Sequence, residues 1–112
     1  MEAIDFVKSI RQRIIEEDLS YYRILLEEEE NITDPVWRDV KSFFDSGDDR
    51  QREIFLLWMR MIQVNTVSHF LGILDGSSYL DESREELSLT VGSTGRVING
   101  DLQDFLWEME GL

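Results

Sequence analysis

The amino-acid sequence predicts a mainly helical α+β domain. Three to four helices pack around a central hydrophobic helix (about 49–74), followed by a small C-terminal β-hairpin (about 87–98) and a final short helix. Three observations predict it. Residues 54–74 place large apolar side chains all the way round a helix axis at 100° per residue, so a helix here needs cover on most sides. Residues before 47 hold further apolar stripes at helical spacing. Leu87-Ser88-Leu89-Thr90-Val91 alternates at period two, as a strand with one buried face does.

The central stretch also has the length to cross a bilayer, about 30 Å for 21 helical residues. However, Arg60, Gln63, Asn65 and His69 lie inside it, and a central Arg alone costs about 3 kcal/mol on insertion. Charged residues Asp48, Asp49, Arg50, Arg52 and Glu53 crowd its start and Asp75 closes it. A buried core helix is therefore expected, not a membrane span. Asn65 and His69, one turn apart, are expected to be interior residues sharing a buried polar network.

At the N-terminal end, Ala3, Ile4, Phe6, Val7, Ile10, Ile14, Tyr21, Ile24 and Leu25 fall on one broad arc, with Lys8, Arg11, Arg13 and Glu16 on the wetter side. Glu17 and Asp18 interrupt the arc, which leaves either two helices meeting near Leu19-Ser20 or one helix over about 3–29; the single helix is favoured. It ends in Glu27-Glu28-Glu29-Glu30, four carboxylates opposed by the macrodipole. Thr33-Asp34-Pro35 starts a second helix, with a capping side chain and Pro in the first turn. Its stripe is Trp37, Val40, Phe43 and Phe44, and Ser46-Gly47 stops it. Asp48 with Gln51 approximates a capping box that launches the central helix. Asp75-Gly76-Ser77-Ser78 ends that helix, Gly92-Ser93-Thr94-Gly95 turns the hairpin, and Arg96-Val97-Ile98 returns it. Asn99-Gly100-Asp101 is expected to cap the last helix, whose buried stripe is Leu102, Phe105, Leu106 and Met109. Trp107 lies off that stripe, either covering a neighbouring helix or standing exposed as an anchor; burial is favoured.

At 112 residues the chain is read as one compact acidic domain, 1–112. With 42% hydrophobic and 11% aromatic residues it is globular in type. The absence of cysteine removes disulfides, thiolate zinc sites and a cysteine nucleophile, and fits a reducing cytoplasm. Met-Glu-Ala-Ile-Asp-Phe carries no cationic stretch before an apolar run, so no secretory signal is expected. The net charge of −13, from 24 acids and 11 bases, repels nucleic-acid backbone and anionic lipid and speeds encounter with a cationic partner. Direct nucleic-acid binding is disfavoured; mimicry of nucleic acid in a basic groove is the converse.

Catalytic constellations are missing from the sequence. His69 is the sole histidine, so any triad would have to use it, and Ser68, Asn65 and Asp75 stand at undiagnostic spacings. There is no nucleophile elbow, phosphate-binding loop or dinucleotide glycine pattern. Asp45, Asp48 and Asp49 lack the alternation and closing Glu of a calcium loop. No enzyme activity, cofactor or metal is expected.

The expected function is that of a small acidic binding or inhibitor protein acting stoichiometrically on a basic protein partner, in the manner of a bacterial immunity or antitoxin-like protein neutralising a toxin or nuclease domain. Its candidate contacts are Glu27, Glu28, Glu29, Glu30, Asp45, Asp48, Asp49, Asp81, Glu82, Glu85 and Glu86, with Tyr79 and Trp107 as aromatic anchors. The alternative is a structural or regulatory homo-oligomeric subunit without catalytic activity, because three Trp, three Tyr and six Phe exceed what one small core buries. A homodimer is compatible with both.

Overall fold

The computed structural model describes residues 1–112 and contains four helices and no strand or sheet. The first helix runs without a break through α1 (Ala3–Ile10), a π-helical segment (Arg11–Glu16) and α2 (Glu17–Glu27). There follow α3 (Pro35–Asp45), α4 (Asp49–Asp75) and α5 (Leu102–Glu110). The residues group into two compact units, Met1–Gln12 with Val64–Leu112, and Arg13–Gln63. No helix is long and apolar enough to cross a membrane.

The π segment explains where the first stripe departs from the expected arc. A π turn accommodates about one extra residue, which rotates everything after it by one position. The buried residues are Val7, Ile15 and Leu26, whereas an unbroken 3.6-residue period from Val7 selects Ile14 and Leu25. Tyr21 and Ile24, assigned to the arc, are exposed. The carbonyl of Ile14, within the widened turn, accepts a hydrogen bond of 3.0 Å from Gln63 Nε2 of α4.

Local start signals act as written. Asp34 caps α3, its carboxylate accepting the Trp37 N–H at 2.9 Å, with Pro35 in the first turn. Asp48 and Gln51 form a reciprocal box at the start of α4: Asp48 Oδ1 accepts the Gln51 N–H at 2.8 Å, and Gln51 Oε1 accepts the Asp48 N–H at 2.9 Å. Arg52 closes α3, donating to the carbonyls of Phe44 and Asp45 while lying over the Phe44 ring.

The β-hairpin expected over 87–98, and with it the α+β class, is not present. One isolated antiparallel bridge joins Thr90 and Val97, flanked by Val91 N–H to the Arg96 carbonyl and Ile98 N–H to the Leu89 carbonyl. The pairing stops there because a side chain takes the groups that would extend it. Asn99 Oδ1 accepts the Leu89 N–H at 2.8 Å, and Asn99 Nδ2 donates to the Leu87 and Leu74 carbonyls. Alternating apolarity gives one buried side, but a ladder also needs free backbone groups on both sides of the bridge.

The cap of α5 also differs from expectation. The Asp101 side chain makes no capping bond. Instead Asp75, at the end of α4, receives the N–H groups of Gly100 (2.6 Å), Leu102 (3.2 Å) and Gln103 (2.8 Å). A residue 27 positions upstream satisfies the open donors of the helix as well as a local cap does.

The unit formed by Met1–Gln12 and Val64–Leu112 has a dense core of Val7, Val64, Val67, Leu71, Ile98, Leu102 and Leu106, of which Val7, Leu71, Leu102 and Leu106 are essentially inaccessible. Its polar seam is centred on buried Ser68, not on Asn65 and His69, both of which are exposed. Ser68 Oγ accepts from Trp107 Nε1 at 2.6 Å and from Gln103 Nε2 at 3.2 Å, and the same Gln103 nitrogen donates to the Ser68 carbonyl. At 100° per residue Asn65 and His69 turn away from the face set by Val64, Val67, Ser68 and Leu71. Gly72 permits this seam: a Cβ there would stand 2.9 Å from Gln103 Nε2. Arg11 pairs with Glu110 at 3.0 Å in the same unit.

The Arg13–Gln63 unit buries only Ile15, Leu26 and Phe44. Tyr22 stacks on Trp37 at 5.2 Å, and Phe55 meets both Phe44 and Trp58 edge-on. Phe43, expected in the buried stripe of α3, is 69% exposed.

Candidate protein-binding surfaces

Within the Arg13–Gln63 unit, α2, the end of α3 and the first half of α4 enclose an open groove of about 730 Å³. Leu19, Leu26, Phe44, Leu56, Leu57 and Met59 line it with apolar surface, and Glu27, Asp45, Asp49 and Glu53 stand among its charged walls. The groove forms because α2 presents Leu19 and Leu26 at the spacing of two turns, while α4 answers with Leu56 and Met59 on its packed side.

The cations in and beside it are engaged within the chain, three of them with the groove's own Glu27, Asp45 and Glu53. Arg60 pairs with Glu16 at 2.9 Å, Arg23 with Glu27 at 3.2 Å, Arg50 with Glu53 at 3.3 Å and Lys41 with Asp45 at 3.6 Å. Arg52 is held on main-chain carbonyls. Thirteen acids against seven bases over 13–63 therefore leave a surface on which internal cations do not neutralise the excess carboxylates.

Three of the residues expected to contact a partner, Glu27, Asp45 and Asp49, come together on this groove. Glu28 and Glu30 are exposed beyond the end of α2, and Glu29 accepts the N–H of Asn31. Asp48 has a structural duty as the cap of α4. The remaining candidates belong to the other unit. Tyr79 is exposed, with the Arg84 guanidinium 5.4 Å from its ring centre; Arg84 itself adopts a left-handed backbone with φ 55°. Asp81 accepts from the Ser83 hydroxyl and, at 2.9 Å, from the Ser83 N–H, and these bonds hold its carboxyl below the usual carboxylate range. Glu82, Glu85 and Glu86 are exposed. Trp107 is 40% exposed and tied by its indole N–H to Ser68, so it covers part of α4 and still shows a face to solvent.

Sequence reasoning missed the outer side of α4. Ile54, Leu57, Trp58, Met61 and Ile62, expected as core, are 43–57% exposed. Phe43, Ile54, Phe55 and Trp58 also line a smaller apolar hollow of about 580 Å³ beside the α3–α4 turn. The available signal was the set of long polar residues Arg52, Arg60 and Gln63, which share the opposite side of the helix.

His69 lines neither groove, and no three His, Asp or Glu side chains converge as metal ligands would. Comparison of the chain with protein-family models, curated proteins and solved structures finds no match.

Proposed function

We propose that this chain is a stoichiometric binding protein for a basic protein partner, acting by capture and not by turnover, as a bacterial immunity or antitoxin-like protein acts on a cationic toxin in the cytoplasm. The observation that carries the reading is the groove between α2 and α4, an apolar trough in a segment, 13–63, with thirteen acids against seven bases. Its Glu27, Asp45 and Glu53 are each ion-paired within the chain, while Asp49 stands outside those pairs. Apolar contact supplies affinity there, and the net negative field of the segment supplies steering and selection for positive charge.

Purification of the tagged chain from its native cells at low salt, followed by a salt gradient, tests the reading. A basic protein that elutes with rising salt in one-to-one ratio is the expected result. Reversing two charges with Asp45→Lys and Asp49→Lys is expected to slow its association by about tenfold or more, an effect that shrinks as salt rises. Recovery of the chain without any basic protein at every salt concentration sinks the proposal. A neighbouring gene encoding a toxin with a basic C-terminal domain identifies the partner to try first.

A further inference from the structure

The first half of α4 is arranged inside out. Its long polar side chains face the packed side, where Arg52 holds the Phe44 and Asp45 carbonyls, Arg60 pairs with Glu16, and Gln63 donates to the Ile14 carbonyl. Its open side carries Ile54, Leu57, Trp58, Met61 and Ile62, spaced i, i+3, i+4, i+7 and i+8, and Phe43 of α3 extends that surface. No acid stands anywhere in 54–74, although Asp and Glu make up 24 of the 112 residues.

We propose that this stripe is where a second copy of the chain docks, the two α4 helices packing stripe to stripe about a twofold axis. Area supports that occupant. With about 150–250 Å² for each aromatic side chain and somewhat less for the aliphatic ones, the six residues expose on the order of 600 Å². Such an area stands at the upper end of the largest apolar patch on a typical free monomer, about 300–600 Å², where patches often serve an interaction. Twofold pairing buries that area from each copy, about 1,200 Å² in total, which reaches the range of specific stable interfaces.

Charge selects the same occupant. Two copies at −13 repel wherever acids meet, and the acid-free stripe lets them approach without setting carboxylates face to face. A cationic partner gains no electrostatic advantage from this surface; the dimer face and the acidic groove adjoin at Leu57, while Trp58 and Met61 lie outside the groove lining. Trp58, near the middle of the stripe and 52% exposed, is the side chain whose burial contributes most.

Light scattering and sedimentation of the full chain at about 100 μM decide the matter. The expected wild-type species has twice the 13.2 kDa chain mass. Trp58→Glu and Met61→Glu each set a carboxylate within the stripe and are expected to weaken dimerisation at least about thirtyfold. Both positions are exposed in a single copy, so the far-UV helical signal is expected to persist in the monomer. Raising salt to about 0.5 M is expected to leave the dimer intact or strengthen it, because screening removes repulsion between copies; capture of a basic partner weakens under the same change. A monomeric wild-type chain at this concentration, or a dimer that survives both Glu substitutions, overturns the proposal whatever becomes of the basic partner.

Discussion

The two compact units reach order by different means. The unit of Met1–Gln12 and Val64–Leu112 buries Val7, Val64, Val67, Leu71, Ile98, Leu102 and Leu106, and it joins distant segments through Ser68, Asp75 and Asn99. The Arg13–Gln63 unit buries three large side chains fully and faces several of its largest apolar groups outward. Its packed side is held by ring contacts and by Arg and Gln side chains bonded to carbonyls. The contrast teaches that apolar content and core are not the same quantity. Both units leave large apolar side chains exposed, Phe70 and Leu80 among them in the first, but only in the Arg13–Gln63 unit do five of them share one stripe of a single helix.

The largest expected effect follows from that contrast. Leu106→Ala empties a fully buried position and is expected to cost about 2–5 kcal/mol in urea unfolding. Leu57→Ala, measured in the Trp58→Glu background, is expected to fall within about 0.5 kcal/mol of its parent. Similar losses at the two positions would erase the distinction between the units.

A smaller effect probes the polar ties of the denser unit. Asp75→Ala strands the N–H groups of Gly100, Leu102 and Gln103 and is expected to destabilise by about 1–2 kcal/mol, with faster hydrogen exchange at the start of α5. Asp101→Ala is expected to do neither, since Asp101 makes no capping bond. Unchanged exchange in Asp75→Ala would remove the long-range cap from the account.

In the other unit, Gln63→Ala removes the donor to the Ile14 carbonyl and is expected to cost about 1 kcal/mol. Hydrogen exchange localises it: faster exchange near residues 14–19 marks the π turn as the site of loss, and uniform exchange argues against a role for Gln63 in holding that turn.

The smallest effect concerns Asp81, whose lowered carboxyl depends first on the Ser83 hydroxyl and then on the Ser83 N–H. A carboxyl lowered by folding adds stability above its unfolded value, and that contribution disappears as pH falls through the lowered folded value. Ser83→Ala is expected to move the Asp81 midpoint upward towards the ordinary range in an NMR titration. At so exposed a site the accompanying change in unfolding is expected to be minor, and an unmoved midpoint would discount the hydroxyl.

The helices were legible in the sequence wherever a signal is local. Asp34-Pro35 and the Asp48/Gln51 box fix starts because their bonds close within three residues. The negative field was also legible, since charge is additive along the chain, and the groove gathers Glu27, Asp45 and Asp49 from the expected set. The hairpin was misread because alternation at 87–91 shows which side is apolar but cannot show that Asn99 takes the backbone groups beside the bridge.

By itself the sequence determined the helical segments, their capped starts and the strong excess of anionic charge, because each depends on residue type or on neighbours within a turn. Only the tertiary structure decided which face of each helix is packed. The extra residue in the Arg11–Glu16 turn moved burial from Ile14 and Leu25 to Ile15 and Leu26, and the carbonyl partners of Arg52 and Gln63 turned the first half of α4 so that its apolar stripe looks outward. Periodicity states that a helix has an apolar side; partners distant in the chain choose what that side meets.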